Sequence, residues 1–264
     1  MNLTFVTYTH SEYSDIWPLV LDGVKHLDSL PIMKVLFCNT DDVGPDIHAQ
    51  YHRVIVYDDT QTYPERVASC LEKLDTQYVF FVHDIDILVN FDIQCFKEVF
   101  DVIQYYTIHR FFFGMVQPCP GMIHNGWLSI APAKHSPIFT LPYDVGPSIW
   151  DRTIFLTLMR KHNKETYRTI ETSPIQTDML DYTCYAMTTS PFHFPLFHLA
   201  RPMSNKFTFL HILAGGKWFD PICYMDLQIQ VFELLERNNI SMEVREMGSG
   251  FHLFQISRSL EYHS

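Results

Sequence analysis

Two aspartates one residue apart, Asp84 and Asp86, follow an apolar run in the stretch "FVHDIDIL". Carboxylates this close repel each other, and Asp is a poor strand former. The spacing calls for a positive charge between them. Hard carboxylate oxygens suit Mg²⁺ or Mn²⁺ better than zinc, so a divalent cation is the expected partner. The plainer alternative is a turn residue followed by a cap, since such triplets are common.

The charge balance sharpens the question. A formal charge of −11 on 264 residues argues against a nucleic-acid partner, which selects for a basic surface. It also means that an anionic phosphate ligand would need a local source of positive charge. No apolar run is long enough to span a bilayer. The opening "MNLTFVTYTH" lacks the basic start and apolar core of a signal peptide, so a cytoplasmic location is expected. The six cysteines, Cys38, Cys70, Cys95, Cys119, Cys184 and Cys223, show no zinc-ligand spacing and are expected as reduced core thiols.

The elements that would position the aspartates are legible in outline. "LTFVTY", "MKVLFCN" and "RVIVYDD" read as short strands ending in polar residues. "SDIWPLVLDGVKHL" reads as a helix with Ser14 as its cap and Pro18 in its first turn. "TYPERVASCLEKL" carries a capping box, Thr62 with Glu65, and helical apolar spacing. "QYVFFVHDID" reads as a central strand buried on both faces, closing on the acidic pair. This β-α-β-β-α-β order predicts an α/β fold with a mostly parallel sheet and helices on both sides. Ligands of such sheets bind beyond the carboxyl ends of the strands. Thr7 to Thr9, Asp58 with Asp59, and Asp84 with Asp86 all fall there. Later, "FKEVFDVIQYY", "RTIFLTLMRKH" and "LQIQVFELLERN" read as helices and "RFFFGMV" as a strand. With no linker or repeat visible, residues 1–264 are expected as one domain. About 1–90 would form its ligand-binding half and about 91–264 an acceptor-side half.

Several blocks, in order, resemble GT-A glycosyltransferases that act on surface or capsular polysaccharides. They are "YSDIWPLVLDGVKHL" with "MKVLFCNT", "YPERVASCLEKLDTQYVFFVHDIDIL", "GPSIWDRTIFLTLMRKHNKETYRTIE" and "LAGGKWF". The chain departs from the family pattern at Gly146, where relatives carry glutamine, and in having a full Asp-x-Asp where many have Asp-Tyr. The resemblance implies a Rossmann-like GT-A domain and a metal-dependent enzyme. That enzyme would move a sugar from a nucleoside-diphosphate sugar to a glycan hydroxyl with inversion. Two rivals stand beside it. One is a haloacid-dehalogenase-like phosphatase with Asp84 as nucleophile, weakened because that motif usually closes the first strand. The other is a carbohydrate-binding protein on a transferase fold that has lost catalysis.

The resemblance also implies roles. Asp86 would contact Mn²⁺ or Mg²⁺, Asp84 the ribose or a metal-bound water, and His211 could complete the metal shell. Thr7, Tyr8 and Asp58 would lie near the base and ribose. Arg66 and Lys217 could reach the diphosphate, Lys217 aided by Gly215 and Gly216. Glu171 is the first choice for the base that takes the acceptor proton, with Asp178 in reserve. Trp150 and Trp218 could offer apolar platforms to a sugar. Each has a plain reading as well: core aromatic, solvated charge, or Gly-Gly turn.

Overall fold

The computed structural model describes residues 1–116, 121–125, 128–132, 143–188, 200–204, 206–218 and 228–247. Its elements in chain order are β1 (Leu3–Tyr8), α1 (Trp17–Val24), β2 (Met33–Cys38), α2 (Pro45–Gln50), β3 (Arg53–Val56), α3 (Tyr63–Leu71), β4 (Tyr78–His83) and β5 (Asp86–Phe91). After these come α4 (Ile93–Tyr105), β6 (Arg110–Val116), β7 (Ile123–Asn125), β8 (Leu128–Pro132), β9 (Ser148–Asp151) and α5 (Arg152–Lys161). The remainder are α6 (Ile175–Asp178), β10 (Cys184–Thr188), β11 (Ala200–Ser204), β12 (Phe207–His211), β13 (Leu213–Ala214), β14 (Lys217–Trp218) and α7 (Gln228–Arg237).

The main sheet has nine strands in the order β3-β2-β1-β4-β9-β6-β10-β8-β7. The strands β3, β2, β1 and β4 are mutually parallel. β9 lies antiparallel between β4 and β6, which returns β6 and its parallel neighbour β10 to the direction of β1. Every residue of β1 and of β4 is buried, as the continuous apolar runs predict for central strands. Alternation then divides the core. Phe5, Leu36, Phe80 and Val82 meet α1 and α4 on one face, while Val6, Phe37, Val79 and Phe81 meet α3 and α5 on the other. The mixed α/β class with a mostly parallel sheet flanked by helices is therefore observed. Cys38, Cys70, Cys95 and Cys184 are buried in the core, as expected, and Cys119 and Cys223 lie outside the described residues.

Three local differences from the sequence reading have physical causes. The stretch before α1 is a 3-10 turn, Ser11–Ile16, capped by the His10 side chain, which accepts the Glu12 N–H, and not by Ser14. Pro18 explains this, because its ring clashes with a helical carbonyl four residues back and so restricts it to a first turn. A short helix, α2, intervenes between β2 and β3. It starts after Gly44 at φ 79 with Pro45 in its first turn, and six residues are too few to show a period. Lastly, "QYVFFVHDID" is not one strand. β4 stops at His83, and Asp86 opens β5 in a second sheet, β11-β12-β5. The capping box of α3 is present as expected, with Thr62 and Glu65 bonded in both directions.

The crossing of α1 over β5 depends on a glycine. A Cβ on Gly23 would sit 2.7 Å from the Leu88 carbonyl oxygen, which is backbone and cannot swing away. Gly23→Ala is expected to destabilise the protein by about 1–3 kcal/mol, the usual cost of overpacking. Denaturant unfolding measures this, and a variant as stable as wild type would show that β5 yields freely.

Candidate functional site

The acidic pair straddles the junction between the two sheets. Asp84 and Asp86 are only 6% and 4% exposed. The Asp84 N–H continues the strand pairing by donating to the Tyr8 carbonyl at 3.0 Å. Asp84 Oδ2 accepts from the Thr9 hydroxyl at 2.5 Å, and Thr9 Oγ1 in turn accepts from Trp17 Nε1 at 2.9 Å. Burial pushes the Asp84 carboxyl up to about 7, with the neighbouring Asp86 charge adding to the effect. Asp86 is paired through Oδ1 with His211 Nδ1 at 2.9 Å, and the two residues face each other across the β5–β12 ladder. His211 is thus placed beside the acidic pair as a hydrogen-bond partner of Asp86. Among the described residues no group of three or more His, Cys, Asp or Glu is gathered as a metal cage.

The carboxyl ends of β1, β2 and β3 meet beside this pair. His10 Nε2 lies 2.9 Å from Asp59 Oδ2, and Asn39 Nδ2 donates to the same oxygen at 3.4 Å. Asn39 Oδ1 accepts from the Ser11 N–H at 2.8 Å. Arg66 pairs with Asp59 at 3.1 Å and lies over the Tyr57 ring. Asp58 is exposed and accepts from the N–H and hydroxyl of Thr60. Arg66 and Asp58 therefore line the polar edge. Thr7 and Tyr8 do not: Thr7 accepts from the Tyr51 hydroxyl inside the core, and Tyr8 is 8% exposed, stacked on Tyr57. Their strand-end position suggested ligand contact, but neighbouring tyrosines already cover both. His10, Asn39 and Asp59 take their place at the edge, and "FCNT" held the signal for Asn39.

Glu171 is wired to the acidic turn through one residue, Val145. Its Oε1 accepts from the Val145 N–H at 2.7 Å, and the Val145 carbonyl accepts from His83 Nδ1 at 2.7 Å. Since a carbonyl only accepts, Nδ1 carries the proton and Nε2 accepts from the Tyr63 hydroxyl at 3.0 Å. Burial drives His83 down to about 4, which keeps this tautomer neutral at pH 7. The 143–147 segment is further held by Gln176, which bonds both backbone groups of Tyr143, and by Arg110. Arg110 is 1% exposed, ion-paired to Asp144 at 2.9 Å and placed over the Trp150 ring. Sequence reading missed His83, Val145 and Arg110, because their partners are remote in the chain.

Other expected site residues are placed elsewhere. Asp178 is ion-paired with Lys161 and hydrogen-bonded to His162 Nε2, each at 2.7 Å, and those bonds hold its carboxyl below the usual range. Trp150 and Trp218 are both 2% exposed. Trp150 stacks on Phe155, and Trp218 belongs to the core cluster on the α1 face. Neither presents a face to a sugar, which corrects the platform expectation. Their size and apolarity suit core and platform alike, and only burial separates the two. Lys217 follows a Gly215-Gly216 turn with φ of 58 and 78, and its amine is paired with Glu246 at 2.5 Å. The same turn brings in a cation that sequence reading did not single out. Arg245 donates to Gly216 O at 3.2 Å and grips Asp15, and its charge acts on Asp84.

No protein-family model matches the chain, and no curated protein matches it in sequence. Among solved structures it is similar to a CMP:2-keto-3-deoxy-manno-octonic acid synthetase complexed with CTP. That match has 8% identity and a TM-score of 0.51 over 88% of this chain and 98% of that one. It is also similar to S. aureus TarS 1-349 in complex with UDP-GlcNAc, at 10% identity and a TM-score of 0.46 over 73% of this chain, spanning 60% of that one. A cytidylyltransferase from Leptospira borgpetersenii matches at 6% identity and a TM-score of 0.46, covering 72% and 77% of the two chains. The likeness to the synthetase runs over nearly the whole of that protein, and what the two share is the fold.

Proposed function

We propose that this chain is a metal-dependent glycosyltransferase that moves a sugar from a nucleoside-diphosphate donor to a glycan hydroxyl with inversion. The observation that carries the reading is the buried acidic pair at the carboxyl edge of a parallel sheet. Asp84 is pushed up to about 7 there, a penalty that a bound cation would reverse. The donor set fits Mn²⁺ or Mg²⁺: two hard carboxylates with an imidazole beside them. Asp86 and Asp84 would hold the ion. Bound there, the ion would act as a Lewis acid toward charge developing on the leaving diphosphate.

The chain's own groups supply the remaining roles. His10, Asn39 and Asp59 offer donors and acceptors at the strand ends for a nucleoside. Arg245 adds positive potential near the acidic pair. Glu171 takes the acceptor proton, its carboxylate positioned by the Val145 N–H that Oε1 accepts. The acceptor oxygen then bonds to the anomeric carbon as the bond to the diphosphate breaks. The similar synthetase structure, complexed with CTP, is in keeping with a nucleotide ligand. The described residues include no helix long and apolar enough to cross a membrane, and a cytoplasmic enzyme is part of the proposal. The test is release of nucleoside diphosphate from a panel of nucleotide sugars, with Mn²⁺ and with EDTA. Release that requires the metal supports the reading, and equal release with EDTA overturns its metal dependence.

A further inference from the structure

With Trp150 and Trp218 in the core, the site needs another ring if a pyranose is to rest on an apolar face. The described aromatic residues more than a third exposed are Tyr105, Tyr106, Tyr167 and Phe232. Tyr105 and Tyr106 meet edge-on at the end of α4, and Phe232 lies on α7. Tyr167 packs on the acidic edge itself. Its ring lies 5.5 Å from His83 at 73° and 5.3 Å from Tyr63 at 84°. His83 precedes Asp84 in the chain and is joined through Val145 to Glu171. Two edge-on contacts from opposite partners of one hydrogen bond fix the plane of the Tyr167 ring.

Burial, followed by the charges of Asp86, Glu171 and Asp84, raises the ionisation of the Tyr167 phenol well above the ordinary tyrosine range. Yet 38% of the residue remains exposed. The residue thus lies close to the carboxylates and is still reached by solvent. A rigid ring with an apolar face and a polar tip suits a pyranose, whose C–H-rich face is apolar and whose edges are polar.

We propose that Tyr167 is the platform for the sugar ring of the donor, placing its anomeric carbon between the acidic pair and Glu171. This rests on the glycosyltransferase reading and names the residue that distinguishes a nucleotide sugar from the bare nucleotide. Tyr167→Leu keeps apolar contact with Tyr63 and His83 but has no ring face. Tyr167→Phe keeps the face and loses the hydroxyl. Calorimetry with MnCl₂ would compare UDP with UDP-glucose and UDP-GlcNAc, and GDP with GDP-mannose.

For wild type, at least one sugar conjugate is expected to bind more tightly than its parent diphosphate. In Tyr167→Leu that advantage should shrink by roughly 2- to 12-fold, the usual worth of an aromatic contact. Binding of the diphosphate alone should stay unchanged and thereby report an intact fold. Tyr167→Phe should keep most of the advantage. A leucine variant that retains the full sugar advantage overturns the platform while leaving the glycosyltransferase reading in place. Wild type that binds no nucleotide at all overturns both.

Discussion

Glu171→Gln is expected to slow sugar transfer by roughly 10²- to 10⁴-fold, the usual worth of general base catalysis, with donor affinity near wild type. The substitution separates chemistry from architecture. A glutamine carbonyl oxygen can still accept the Val145 N–H that Oε1 accepts now at 2.7 Å. The Val145 carbonyl then keeps its bond to His83, and the acidic turn keeps its support. What is lost is the ability to take a proton at neutral pH. Alanine would be a poorer probe, because it also leaves the Val145 N–H without this acceptor. Steady-state kcat and KM measure the effect, with thermal unfolding as the control for the fold. Asp178→Asn provides the contrast. Its carboxylate is already committed to Lys161 and His162, so its loss should leave transfer within a few-fold of wild type. Normal transfer in both variants would remove both residues from the mechanism and favour a retaining reaction or another base.

Asp86→Asn should abolish the metal dependence of donor binding. It should lower turnover by roughly 10²- to 10³-fold, as expected when about 3–4 kcal/mol of charge stabilisation is lost. The amide oxygen can keep the bond that Oδ1 makes with His211 Nδ1, so the β5–β12 junction survives. Removing one of two repelling buried charges also relieves Asp84, whose carboxyl the Asp86 charge helps to raise. The metal-free variant should therefore be at least as stable as the metal-free wild type. Loss of activity together with unimpaired stability is the signature of a residue kept for function. A marked fall in stability would instead make Asp86 a structural partner of His211.

What could be read from the sequence follows the range of the interactions. The Thr62–Glu65 capping box is complete within four residues, and it is present as expected. The strands β1 and β4 declare themselves by apolar runs, because burial on both faces leaves no polar alternation. The acidic pair was visible for the same reason, as charge at the end of such a run. Its division between two sheets was not, because β5 pairs with β12, which places His211 opposite Asp86, 125 residues away in sequence. His83 lies inside the stretch that drew attention, yet its role depends on Tyr63 and Val145. Thr7 and Tyr8 show the opposite case. Strand-end polar groups suggest ligand contact, but Tyr51 and Tyr57 satisfy or cover them, and only tertiary structure reveals those partners. The burial of Trp150 and Trp218 is likewise a property of the assembled core and not of residue type.

The central claim is that the acidic pair, through a divalent cation, holds a nucleotide sugar. A thermal-shift panel of nucleoside-diphosphate sugars with and without Mn²⁺ tests it most directly, since a ligand that binds only the folded state raises its stability. At about 100 times the dissociation constant the gain is about 2.7 kcal/mol, which corresponds to a rise of roughly 5–10 °C for a chain of this size. The expected result is such a rise with one class of nucleotide sugar when Mn²⁺ is present, absent with EDTA and absent in Asp86→Asn. A panel in which no nucleotide sugar shifts the unfolding temperature, or in which the shift is the same with EDTA, contradicts the claim.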